Sequence, residues 1–314
     1  MPTQTTLTSR LQAGGGCVAI SVHGDRAVFS ELSSTYPLKL LSPYIQDTTA
    51  LVYLLTYGGG LVSGDELDLK VAIELGATLV LLSQGTTKVF KARPGRRLAC
   101  VKPVTSSGLA PSSKDLSSTR QSLNFHIAAK GLLLLLPEPV TCFRGALYNQ
   151  YQRFHIQDNG SVVILDWITS GRMSMGEDWA FSHYYSVNEI FHNGRRIAKD
   201  VMLLDTKDLN LKIPDRPLND RLQPYSCYAM LILYGPQIQS VIAEITLKYN
   251  QLSVFKSKTP APLIWSLSPI DPTNLGVVIR IGGRETEMVK EWLKDALSGL
   301  KRIVGLDVYR RAFP

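Results

Sequence analysis

The densest collection of chemically capable side chains lies in one stretch, GRMSMGEDWAFSHYYSVNEIFHNGRR, which starts at Gly171. It places Arg172, Glu177, Asp178, His183, Glu189 and His192 within a short span. Carboxylates and an imidazole at such range can touch a divalent metal, with Glu177, Asp178 and His183 as the first choices. No HExxH or similar helix-borne spacing is present, so a preformed tight site is the lesser reading. Met173-Ser174-Met175 does not make a nucleophile elbow. Ser174 stands in GxxSxG rather than GxSxG, and no strand–turn–helix context surrounds it.

Two further stretches invite a test. GGGLVSGD at 58–65 follows the apolar run LVYLLTY, as a phosphate loop would. A nucleoside triphosphate loop needs Gly-Lys-Ser/Thr at its end, and this one ends in Gly-Asp; a dinucleotide fingerprint needs a helix next, and another strand follows. The simpler reading is a close-packed strand connection, with Asp65 the residue most able to add a function. Residues 85–102 hold six basic residues and no acidic one. Phe90 is the lone aromatic among them, whereas nucleic-acid contact favours interleaved aromatics. A solvated basic face on a strand–turn–strand fits better, and docking to an acidic protein surface stays open.

Cys17, Cys100, Cys142 and Cys227 are scattered, with no CxxC pair, so they read as reduced, mostly buried thiols. The histidines spread from His23 to His192 without a metal-binding spacing. Asn159-Gly160-Ser161 is a sequon in form, but Asn-Gly between apolar runs is more simply a hairpin turn.

The elements that position these residues are mainly strands. Residues 67–75 alternate strictly, Leu67, Leu69, Val71, Ile73 and Leu75 against Asp68, Lys70, Ala72 and Glu74, and a Gly76-Ala77 turn leads to a strand over 78–83. Hairpins are expected over 182–204 about Asn193-Gly194 and over 151–168 about Asp158-Asn159-Gly160. Further strands are expected over 17–22, 50–57, 88–91, 125–136, 230–234, 241–248 and 276–281. Residues 284–304 carry one apolar stripe at helical spacing, from Met288 to Val304, and form an amphipathic helix. Residues 103–121 are rich in Ser, Thr and Pro and read as a mobile insertion; 205–224, with Pro214, Pro217 and Pro224, reads as a surface crossing.

Composition bounds the rest. A hydrophobic fraction of 45% in 314 residues fills a sizeable core and rules out wholesale disorder. The longest aliphatic run, Leu132 to Leu136, is far short of the ~20 residues that cross a bilayer. The opening MPTQTTLTSR has no apolar core, so no secretory signal is expected and the cytoplasm is the expected location. A net charge of +8 favours acidic partners without making a nucleic-acid binder.

GGGLVSGDELDL, TTKVFKARPG, LPEPVTCFRGALYNQ, GRMSMGEDWAF and VVIRIGGRE before an amphipathic helix occur in this order. Together they resemble the urease accessory family UreD, called UreH in some species, across roughly residues 17–304. Two departures are the Ser-rich stretch at 103–121 and the ending Tyr309-Arg310-Arg311-Ala312-Phe313, which only loosely follows the family's basic-aromatic C-terminus.

The resemblance implies a single domain over 1–314 with an irregular stacked-strand, β-helix-like body. It implies a non-enzymatic scaffold that binds a UreF-like protein, recruits a UreG-like GTPase and docks on apo-urease so that nickel reaches the buried active site. No tightly bound cofactor is expected, only transient Ni²⁺, and no nucleic-acid or membrane partner. The family's internal passage would be lined here by Asp65, Gln84, Thr87, Lys88, Glu138, Arg172 and Glu177, with Asp65, Glu177 and His183 as possible metal contacts. Spaced carboxylates and hydroxyls suit release, where clustered imidazoles or thiolates would retain the ion. Two other classes compete. A β-helix carbohydrate hydrolase would use Asp166 and Glu177 and lose sugar-cleaving activity in Glu177→Gln. A basic β-rich RNA-binding module would bind random RNA with steep salt dependence.

Overall fold

The computed structural model describes residues 11–92, 118–206, 216–252, 260–270 and 275–314. Strands dominate and form two mixed sheets, with most of the helical residues late in the chain. The outer sheet has the order β14 (Arg195–Asp205), β13 (His183–His192), β11 (Leu147–Ile156), β8 (Thr119–Ile127), β5 (Glu66–Ile73), β1 (Gly15–His23), β2 (Arg26–Ser34). The middle sheet has the order β16 (Leu263–Pro269), β17 (Gly276–Gly283), β15 (Cys227–Tyr234), β12 (Ser161–Thr169), β9 (Leu132–Leu135), β6 (Thr78–Ser83), β4 (Thr49–Thr56), β3 (Leu38–Gln46). Short β7 (Thr87–Val89) and β10 (Val140–Cys142) branch from β12.

From β5 to β12 the chain alternates between sheets. β5, β8 and β11 are parallel neighbours in the outer sheet, while β6, β9 and β12 are parallel neighbours in the middle one. Each outer strand passes to a middle strand through a short corner, and the corners stack. Ala128 N–H donates to Ile73 C=O and Gln157 N–H to Ile127 C=O, both at 2.9 Å, so each corner satisfies backbone groups of the next. The expected stacked-strand body is this arrangement.

The same stacking corrects the expected hairpin about Asp158-Asn159-Gly160. Its two strands, β11 and β12, belong to different sheets and do not pair. Asn159 instead accepts the Lys130 N–H at 2.9 Å, and Asn193 accepts the Asp158 N–H at 2.9 Å, so these asparagines tie corner to corner. Residues 182–204 do form a hairpin: β13 and β14 are antiparallel, with Asn193 at φ 47° and Gly194 at φ 79°.

Two cores follow from this layering. One lies between the sheets and includes Val18, Leu69, Phe125, Phe154 and Ile164. The other lies between the middle sheet and helices α2 (Gln239–Asn250), α3 (Thr286–Ala296), α4 (Lys301–Val304) and α5 (Leu306–Ala312). The centre of the middle sheet is therefore buried on both faces, and β9 and the Val162–Leu165 part of β12 read as continuous apolar runs rather than alternations.

Other expectations need correction. Residues 241–248 are helix α2, not a strand; Val241, Ile242 and Ile245 bury one helical face, and packing overrides their β-branched preference. The run 125–136 is two strands split by the corner at Lys130. The helix expected over 284–304 ends at Ala296 and continues as a 3₁₀ turn and α4. Most of the insertion read at 103–121 lies outside the described residues, but Thr119, Arg120 and Gln121 open β8. Residues 93–102 of the basic stretch also lie outside them. The 205–224 connection carries a short helix, α1 (Leu218–Leu222), before the chain re-enters the middle sheet at β15. No helix among the described residues is long and apolar enough to cross a membrane.

Candidate functional site

β4, β6, β9 and β12 run parallel side by side, so their C-terminal ends share one rim of the sandwich. The glycine stretch follows β4, Gln84 follows β6, Glu138 follows β9, and the Arg172–Glu177 stretch follows β12. Motifs more than a hundred residues apart in sequence thus assemble on the same edge.

The glycine stretch is the close-packed connection expected of it. A Cβ on Gly60 would stand 2.7 Å from the Lys88 carbonyl oxygen, because Leu61 N–H donates to that oxygen at 2.8 Å. Asp65, only 1% exposed, closes the loop: its Oδ2 accepts the Val62 N–H at 2.8 Å and its carbonyl accepts the Arg120 N–H at 2.9 Å. Lys88 contributes its backbone here, while its side chain and that of Gln84 are exposed.

Glu177, 6% exposed, is gripped by Arg172 through two hydrogen bonds, Nε to Oε2 at 2.9 Å and Nη2 to Oε1 at 2.6 Å. The guanidinium also lies 3.8 Å from the Phe143 ring centroid. This bidentate grip holds the Glu177 carboxyl below the usual carboxylate range. Glu138 reaches the other way, pairing at 3.1 Å with Lys290 of α3. His183 sits apart in the outer sheet, between Asp205 at 3.0 Å and Asn149 at 3.2 Å. Asp65, Glu177 and His183 are not brought together: no group of three or more potential ligands that could hold a metal occurs among the described residues.

Behind the rim, the space between the sheets turns polar. Tyr148 donates at 2.9 Å to Gln121 Oε1 or Gln150 Oε1, both within reach. Gln150 Nε2 reaches Asp166 Oδ1 at 3.0 Å, while Ser186 Oγ and Asn188 Nδ2 reach Asp166 Oδ2 at 2.6 and 2.8 Å. Burial pushes the Asp166 carboxyl up; the three donors oppose this and do not cancel it. The Gln152 Oε1 and Asn188 Oδ1 oxygens are buried with no hydrogen-bond partner, an arrangement that costs free energy in a purely structural network.

A narrow cavity of about 40 Å³, room for water-sized occupants only, adjoins this seam. Its polar walls include Thr87, Glu138, Gln121, Gln150, Gln152 and Asp166. Of the residues singled out for a passage, it gathers Thr87 and Glu138; Asp65, Arg172 and Glu177 shape the rim loops instead. Gln121, Gln150, Gln152, Ser186 and Asn188 escaped the sequence reading, and Asp166 entered it only as a hydrolase carboxylate. A signal existed. Gln121 shares strand parity with Leu123 and Phe125, as Gln150 and Gln152 do with Phe154, so amides occupy core-facing positions.

This geometry offers a carboxylate and amide oxygens, hard and individually weak ligands, rather than a closed coordination shell. It does not offer the hydrolase arrangement, because Asp166 is enclosed between the sheets and Glu177 is engaged at the rim.

The family model described as UreD urease accessory protein matches residues 13–312. Urease accessory protein 4 of Cryptococcus neoformans var. grubii is 36% identical, with 96% of this chain and 95% of the relative covered. Urease accessory protein D of Arabidopsis thaliana is 31% identical over 94% of this chain and 99% of its own length. Urease accessory protein UreD of Sorangium cellulosum is 31% identical over 96% and 84%. With its motif loops gathered on one rim and its sequence matched nearly end to end, the chain belongs to the UreD family of urease accessory proteins.

Proposed function

We propose that this chain is a non-enzymatic scaffold of urease maturation whose inter-sheet seam carries Ni²⁺ as transient cargo toward apo-urease. It works in the cytoplasm with a UreF-like partner and a UreG-like GTPase, and keeps no resident cofactor. One observation carries the reading: Asp166, with the unpartnered oxygens of Gln152 and Asn188 nearby in the seam, lines a cavity with Thr87 and Glu138. Weak oxygen ligands strung along a hydrated path let an ion enter and leave, whereas an imidazole or thiolate cluster would retain it. An ion moving past would also relieve the electrostatic cost of the enclosed carboxylate.

The test is nickel per urease active site in a strain whose accessory chain carries Asp166→Asn, with the amount of soluble accessory complex measured beside it. Asn keeps the size of the side chain and removes the charge. The expected result is low nickel in urease beside a normal amount of complex. Full nickel loading with the complex intact would take Asp166 out of the path.

A further inference from the structure

Sheet edges expose unpaired backbone groups, and proteins blunt them with bulges, prolines and charge. Three of the long edges here are treated in this way. β2 carries a bulge opposite Ala19 and Ile20, β3 has an irregularity at Ser42-Pro43, and β16 ends in Pro269. β14 differs. Its bulge lies near its start, at Ile197, and Ala198 to Asp205 then pair with β13 without interruption. Among the described residues no strand lies on its other side.

The face of this edge run toward solvent reads Lys199, Val201, Leu203, Asp205, fixed by the register with Glu189, Val187, Tyr185 and His183 on β13, and at its end Arg221 of α1 donates to the Asp205 carbonyl at 3.4 Å. Val201 is 46% and Leu203 54% exposed. Tyr185 and Val187 extend the apolar strip inward. On the opposite face Met202 and Leu204 pack toward the inter-sheet core, and Asp200 is neutralised by Arg280 of β17.

The order cation, apolar, apolar, anion is self-complementary. When two copies of the run lie antiparallel with Met202 opposite Met202, Lys199 of each copy faces Asp205 of the other, and Val201 faces Leu203. Residues two apart share a face, so this register keeps every outward side chain outward in both copies. A second copy of the same strand therefore satisfies the edge in backbone, shape and charge together. We propose that β14 is a self-association edge through which two copies of this chain join their outer sheets across a two-fold axis at Met202. The paired strands alone bury less than the ~1,200–2,000 Å² of a standard interface, so the association is reversible and concentration-dependent. Asp205 already holds His183, and Lys199 lies 3.6 Å from Glu189; both charges stay at the surface and can share these partners across the axis.

The experiment is light scattering on the full chain over a dilution series, using wild type, Lys199→Asp, Asp205→Lys and an equimolar mixture of the two variants. Wild type is expected to double in mass as concentration rises. Each single variant opposes like charges on both sides of the axis and is expected to stay monomeric. In the mixture every facing pair is again opposite in sign, so mass doubling returns. A fold defect would not be rescued by mixing. Met202→Cys is a second arm that does not depend on those charges: its sulfurs meet at the axis, and mild oxidation is expected to give a covalent dimer that wild type, under the same oxidant, does not give. A wild type monomeric at every concentration overturns the proposal. So does a dimer unaffected by either charge variant, or a Met202→Cys chain that fails to cross-link where wild type dimerises.

Discussion

The two ends of the inter-sheet space are built from the same strands and do opposite things. Toward the stacked corners, Phe125 and Phe154 stack at 4.8 Å between centroids, among Ile73, Ile127 and Ile156. Toward the rim, the equivalent inward positions of β8, β11 and β13 are Gln121, Gln150 and Ser186 around Asp166. The rim itself holds a second withdrawn carboxylate, Glu177. Glu177 has a guanidinium, whereas Asp166 has neutral donors only. An ion pair with that geometry is a fastener; a carboxylate with neutral donors is left with charge to offer a passing cation.

The largest expected effect lies at the apolar end. Phe154→Ala removes a fully buried ring and should cost about 3–5 kcal/mol, read as a lowered denaturation midpoint, while the folded fraction still supports nickel loading. A selective loss of nickel with unchanged stability would break the division between the ends.

Asp166→Leu comes next. It leaves the donors of Gln150, Ser186 and Asn188 without their acceptor, and about 1–3 kcal/mol of stability should go with it. A stabilised Leu variant would mean that the seam is maintained at a cost greater than its hydrogen bonds return.

Acid titration sharpens the contrast between the carboxylates. The Asp166 carboxyl is raised in the folded chain, so its contribution is full below the unfolded value of 3.8 and is lost as pH rises through the folded one. The Glu177 carboxyl is lowered, so its contribution is present above the unfolded value of 4.5 and is lost as pH falls through the folded one. Stability of wild type relative to Asp166→Asn should therefore fall with rising pH, and relative to Glu177→Gln it should rise. Parallel slopes in denaturant melts would show that both carboxylates share one environment.

The smallest effect is expected for Glu177→Gln in nickel delivery. The family resemblance implied Glu177 in the passage; its two bonds to Arg172 favour the role of a rim fastener, and the variant separates the two. The melting temperature should drop modestly and nickel per urease site should stay near wild type. Low nickel beside a normal accessory complex would return Glu177 to the path.

How much of this was legible in the sequence depended on whether a residue's partner was local. The strand over 78–83 and the 183–205 hairpin were readable, because alternation, or Asn193-Gly194 with its positive φ angles, states them within a few residues. The corner at 157–160 was not, since Asp158-Asn159-Gly160 looks the same whether its strands pair or part, and what separates them is pairing to β8 and β9. Helix α2 was missed because Val241, Ile242 and Ile245 suit a strand until the middle sheet is there to receive them. The rim motifs were found as strings, but their meeting place depends on four parallel strands. The seam needed the opposite habit of reading: asking why amides sit where Phe125 and Phe154 have their places.

The double burial of the middle sheet has a consequence in time. Its face made by Leu132, Leu134, Val163 and Leu165 is covered by α2, α3 and α5, which lie beyond residue 238. During synthesis from the N-terminus, the stack of coils is complete long before its cover has left the ribosome, and a broad aliphatic wall waits in water. That face gains its cover only once residues 239–313 have been made, so closing the second core depends on these late helices.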